Sequence, residues 1–86
     1  MGGVPGEGGA VKALVELVAR SLVERPEAVA VRVVDGPQET VIEVQVAAED
    51  VGKVIGRGGR MAKSIRNILD AVGMKQRKRY TLEILE

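Results

Sequence analysis

Eighty-six residues, 45% apolar and 29% charged, make one globular domain that buries roughly 60–65% of its unfolded surface. No apolar run approaches the ~18 residues of a membrane span, and no basic-then-apolar leader opens the chain, so a cytoplasmic protein is expected. Cysteine and histidine are both absent, which removes disulfides, thiolate and imidazole metal sites and the commonest general base; with no convergent carboxylate or lysine pair in their place, neither an enzyme, a metal site nor a cofactor is expected.

Residues 1–9 hold five glycines and a proline with almost nothing to bury, and are expected to form a flexible tail ahead of a single domain over 10–86. Val11, Leu14, Val15, Val18 and Leu22 recur at helical spacing over 10–24. Arg25-Pro26 closes that helix, because the residue before a proline is pushed out of the α region. Leu17 and Val23 fall off the stripe and either fill its margins or meet a partner. Val29, Val31 and Val33 then alternate with Ala30, Arg32 and Val34, and Ile42, Val44 and Val46 alternate with Glu43 and Gln45. With turn residues Asp35-Gly36-Pro37-Gln38 between them, the two runs predict an antiparallel hairpin with one dry face.

Glu49 or Asp50 can cap a short helix over 51–55. The loop Gly56-Arg57-Gly58-Gly59 follows, and Met61, Ile65, Ile68, Leu69 and Val72 repeat at helical spacing beyond it, with Gly73 as the expected terminator. The last run, 79–85, alternates once more with Tyr80, Leu82 and Ile84 inward. The order is α-β-β-α-α-β. A three-stranded sheet with one apolar face needs a cover, and three helices supply it, which makes an α+β two-layer sandwich.

The net charge of +1 hides an asymmetry. Between Lys53 and Arg79 stand nine basic residues and one acidic, Asp70, giving +8; the remainder holds four basic and eleven acidic, giving −7. Such a division points to a polyanion-binding face on an acidic body. The glycine loop is its focus. Three glycines in four residues let the backbone turn sharply and a ligand's backbone come close. The helix after the loop presents free N–H groups and the positive end of its dipole, and Arg57, Arg60 and Lys63 crowd the same spot. A phosphate suits such a site. A Walker A loop is excluded, because position 62, before Lys63-Ser64, is alanine, and its first glycine would fall on Arg57. A Rossmann fingerprint is excluded because its third glycine would fall on Met61.

The words Val54-Ile55-Gly56-Arg57-Gly58-Gly59-Arg60, and the run 50–66 nearly throughout, resemble the bacterial stand-alone KH-domain proteins of the KhpA type. The likeness covers residue 10 to the C-terminus and implies a type II KH fold, with three helices on one face of a three-stranded sheet. It implies single-stranded RNA binding, in which Gly56, Arg57, Gly58 and Gly59 hold the backbone of about four nucleotides. Lys53, Arg60 and Lys63 add charge, and Val54, Ile55, Ala62 and Ile65 form or back an apolar floor for bases. Many KH domains carry isoleucine where Ala62 stands, so one wall of that groove is shortened. The likeness further implies a cytoplasmic RNA chaperone or post-transcriptional regulator that influences cell shape, paired with itself as a homodimer or with a second, KhpB-like KH protein. One tyrosine and no Phe or Trp exclude the aromatic platforms of RRM, OB and cold-shock domains. Two other readings remain open on residues alone: a helix-turn-helix DNA binder with 60–72 as recognition helix, and a protein–protein module whose glycine turn is purely structural.

Overall fold

The computed structural model describes residues 7–86. Positions 1–6 of the expected tail lie outside the described residues, while 7–9 belong to the first helix, α1 (Glu7–Leu22). Glycine lowers helix propensity by ~1 kcal/mol per residue without forbidding the helix, and Val11 and Val15, both buried, anchor the turns that follow. The helix stops at Leu22, two residues before the expected end, and a 3₁₀ turn, Pro26–Ala28, leads into the sheet. Val23 is partly buried against the core, whereas Leu17 is 66% exposed.

Strand β1 (Ala30–Asp35) pairs antiparallel with β2 (Thr40–Gln45), Asp35 opposite Thr40 and Ala30 opposite Gln45. The hairpin is as expected. Strand β3 (Tyr80–Leu85) lies on the other side of β2, parallel to it, with Thr40 opposite Tyr80 and Gln45 opposite Leu85. A parallel pair needs a crossover; α2 (Val51–Ile55) and α3 (Arg60–Gln76) make it. The central position of β2 buries Ile42 and Val44, and Val46 just beyond its end is buried with them. Its inward side chains meet Val15, Val54 and Leu69 from the helices, while the open face of the sheet carries the exposed Arg32 with Glu43 across the ladder, 3.8 Å apart. The order α-β-β-α-α-β and the single covered face are those expected from the alternation and helical spacing.

Gly73 departs from its expected role. The helix runs on through it to Gln76, and the chain turns at Arg77 in the left-handed region (φ 57°, ψ 42°). The Lys78 N–H donates to the Gly73 carbonyl (2.8 Å) and the Arg77 N–H to that of Met74 (3.4 Å), the paired bonds of a Schellman ending with arginine in the place usually held by glycine. Gly73 is needed one turn earlier for space: a Cβ there would lie 2.4 Å from the Lys78 carbonyl oxygen and 3.3 Å from the Tyr80 ring. Tyr80 is buried, and its hydroxyl donates to Gln76 Oε1, fastening the end of α3 to β3. Among the described residues no helix is long and apolar enough to cross a membrane.

Candidate nucleic-acid interface

The candidate interface is built on the junction between α2 and α3. Helix α2 has five residues, and the Gly56 N–H closes it on the Gly52 carbonyl at 2.8 Å. Gly56 then takes φ 79°, ψ 167°, a conformation essentially closed to other residues, and a Cβ on it would sit 2.7 Å from Met61 Cβ. Residues Arg57–Gly59 form one 3₁₀ turn, with the Gly59 N–H on the Gly56 carbonyl at 3.0 Å. Gly58 (φ 64°) and Gly59 (φ 76°) are both left-handed, yet a Cβ on either would meet nothing within 4 Å. Gly56 is thus fixed from inside the protein. The other two leave open space outside it. Gly59 is also the N-cap of the seventeen-residue α3; the Arg60 N–H donates to the Arg57 carbonyl, and no side chain caps the N–H groups that follow, at the positive end of the helix dipole that suits an anion.

Arg57, Arg60, Lys63 and Arg66 are exposed, and none forms an ion pair among the described residues. Lys53 differs. Its ammonium lies 3.3 Å from Asp50 Oδ1 and 3.7 Å from Glu24 Oε2, so its charge is largely neutralised at the base of α2.

Asp50 is fully buried and sits at the N-cap of α2, but its carboxylate does not cap that helix. It accepts the N–H groups of Glu24 (3.2 Å) and Arg25 (3.0 Å) and the Lys53 ammonium (3.3 Å). Burial pushes its pKa up, but the two backbone N–H bonds and the Lys53 cation outweigh burial and hold it below the ordinary 3.8. With Arg25 Nε 3.5 Å from Glu49 Oε2, these contacts stitch the end of α1 to the start of α2. The residue type of Asp50 points only to a local cap, because its backbone partners lie 25 and 26 positions away.

Of the four apolar residues expected at the groove, Val54, Ala62 and Ile65 are buried at 0%, 4% and 4% exposure, and Ile55 is 37% exposed. Ile55 alone among them presents surface to a ligand; the other three lie in the core. Ile42 and Val44 lie on the central strand, which has no free edge for a ligand, and Val46 follows it with its N–H on the Leu85 carbonyl. No three carboxylates among the described residues converge as a metal-ligating group.

A leading helix, an antiparallel hairpin and a helix–GxxG–helix crossover from the central strand to a parallel neighbour define a KH domain in the type II arrangement. The chain belongs to the KhpA/KhpB KH-domain family, whose model matches residues 12–84. It is 47% identical over 75 residues to the RNA-binding protein KhpA of Clostridium acetobutylicum, covering 87% of this chain and all of the relative. The Clostridium perfringens protein of the same name is 45% identical over equal coverage. That of Aquifex aeolicus is 47% identical over 77 residues, 90% of this chain and 98% of the relative. No solved structure shows a significant match.

Proposed function

We propose that the chain binds single-stranded RNA at the Gly56–Gly59 turn. The observation that carries this is the contrast within the turn: Gly58 and Gly59 hold positive φ with open space beside them, at the uncapped start of α3 and among cations without carboxylate partners. A sugar-phosphate backbone can approach there to hydrogen-bond distance without meeting a Cβ. Arg57, Arg60 and Lys63 neutralise phosphates, and the N–H groups at the start of α3 orient one of them. Bases lie over Ile55, which Val54, Ala62 and Ile65 hold in place. Lys53 acts mainly through Asp50 and Glu24, setting the angle of α2. A five-residue α2 is too short for the bracing helix of a helix-turn-helix reader.

In this reading the protein is a cytoplasmic RNA chaperone or post-transcriptional regulator. A groove with one exposed aliphatic floor residue gains from avidity. A second copy or a KhpB-like partner supplies it, and the exposed Leu17 is a surface such a partner could cover. The relatives' name, RNA-binding protein KhpA, supports the assignment of RNA as ligand.

The test is Arg57→Asp with Gly58→Asp, measured against single-stranded RNA, single-stranded DNA and duplex DNA. Aspartate tolerates the left-handed region better than most residues, and a Cβ at position 58 meets no atom, so the fold should survive with a loss of ~1–2 kcal/mol. RNA binding should disappear. A folded double variant that keeps the parent's RNA affinity places the site elsewhere, and a preference for duplex DNA overturns the choice of ligand.

A further inference from the structure

The opposite end of α3 carries a second concentration of cations: Lys75, Arg77, Lys78 and Arg79, four in five residues. All four are exposed, and Lys75, Arg77 and Arg79 form no ion pair among the described residues. Arg77 and Arg79 line two clefts that flank the α3–β3 connection, of about 380 Å³ and about 290 Å³. The backbone beneath is held on both sides. Lys78 N–H bonds back into α3, and the Arg79 carbonyl accepts the Thr40 N–H at 2.8 Å, tying the connection to β2.

Two features mark this as more than a solvated helix end. First, Arg77 stands at a left-handed position where glycine would relieve the backbone, so a long cation is present at a conformational cost. Second, none of the carboxylates that line the two clefts, Asp35, Glu39 and Asp70, forms an ion pair with Lys75, Arg77 or Arg79. Asp35 Oδ1 accepts the Thr40 hydroxyl at 3.0 Å, and Glu39 Oε1 accepts the Thr81 hydroxyl. Each keeps its charge but lies more than 4 Å from either guanidinium, and the arginines face solvent.

We propose that Lys75, Arg77 and Arg79 form a second phosphate-binding site, which takes a later stretch of the same RNA strand that the glycine loop holds. Seventeen residues of α3 separate the two ends by about 25 Å. The exposed Lys63 and Arg66 lie on the helix between them, with Asp70 the one acidic residue of α3, so the helix keeps a net positive charge along its length. At about 3.4 Å per stacked nucleotide, that distance is about seven nucleotides. A strand of about twelve therefore reaches both ends, and one of about four reaches only the loop. The inference rests on the loop being the first anchor.

The experiment compares single-stranded RNA of about four and about twelve nucleotides, across a salt series, on the parent, on Arg77→Gly with Arg79→Gln, and on Arg57→Asp. Glycine at 77 removes the charge while suiting the left-handed turn, so the first variant should melt at or above the parent's temperature. It should bind the short strand as the parent does and the long strand roughly twentyfold more weakly at 0.1 M salt. Its log–log salt slope should fall by about 1.4, which is two single-strand phosphate contacts. Unchanged long-strand affinity overturns the second site, as does an equal loss on both lengths, which would mean a general field effect. Arg57→Asp reports on the loop separately: if it leaves the short strand bound, the loop assignment fails, while the second site is still judged by the first variant on the long strand.

Discussion

Two neighbouring stretches around α2 use the same residue types to opposite ends. In the seam formed by Glu24, Arg25, Glu49, Asp50 and Lys53, every charge has a counter-charge within 4 Å or a backbone N–H group to accept. In the turn a few residues further on, Arg57, Arg60 and Lys63 have no carboxylate beside them. A cation satisfied within the fold contributes to holding one helix against another. A cation left unsatisfied on a rigid turn is a binding group awaiting an anion. The difference lies in what the fold brings alongside, not in the residue.

The largest effect should follow from breaking the seam at its centre. Asp50→Ala leaves the part-buried Glu24 and Arg25 N–H groups without their acceptor and Lys53 without its nearest partner, and it should lower the melting temperature more than any other substitution considered. Because the Asp50 pKa is lowered in the folded protein, its stabilisation is fully present above the unfolded-state value of 3.8. It is lost as the pH falls through that value towards the lower folded one. The parent should therefore lose stability over that acid range, and the variant should lose less. Parallel slopes of melting temperature against pH would remove Asp50 from this role.

The turn has its own inner and outer glycines. Gly56→Ala forces a residue-specific backbone angle and places a Cβ 2.7 Å from Met61 Cβ, so it should cost roughly 3 kcal/mol in chemical denaturation. Gly58→Ala meets no atom and should cost only ~1 kcal/mol from its left-handed backbone. Equal costs would mean that the turn is anchored equally at both places and that Gly58 is not reserved for a ligand. Ile65→Ala, at 4% exposure, should cost ~2–4 kcal/mol as a core cavity, since this residue supports the groove from behind.

How far the sequence foretells this molecule depends on the range over which each signal acts. Alternation in Val29 to Val33, Ile42 to Val46 and Tyr80 to Ile84 marks the strands, because period two is imposed by each strand's own two faces. The glycine turn is legible for the same local reason, and so is α2, whose bounds fall on 51–55 as expected. Gly73 misleads because glycine ends helices and also makes room between chains. Only the approach of Lys78 and Tyr80 from beyond the helix decides between those roles. The end of α3 is hidden by Arg77, a left-handed residue that carries no glycine signal. Asp50 has the residue type of an N-cap, but its hydrogen bonds go to residues a whole hairpin away. Nor does the spacing reveal that Val54 and Ile65 lie beneath the groove rather than on it, since a short helix against a sheet turns its most apolar residues inward wherever the ligand sits.

The smallest expected effect sharpens the comparison most, because it changes one lysine at a time. Lys53→Ala and Lys63→Ala remove the same charge from positions on either side of the turn. Lys53 holds Asp50 at 3.3 Å and Glu24 at 3.7 Å; its loss leaves a buried carboxylate with only its backbone donors, and the melting temperature should fall by about 4 °C or more, as a loss of ~1 kcal/mol would produce in a domain of this size. RNA affinity should follow only that loss, with the salt slope unchanged. Lys63 touches no carboxylate, so its replacement by alanine, a good helix former, should leave the melting temperature within about a degree. Its log–log salt slope for single-stranded RNA should fall by about 0.7, one phosphate contact. If Lys53→Ala lowers the slope while leaving stability untouched, Lys53 exchanges its carboxylates for phosphate when RNA arrives, and the seam is part of the binding surface. If Lys63→Ala moves neither quantity, the phosphates lie against Arg57 and Arg60 alone.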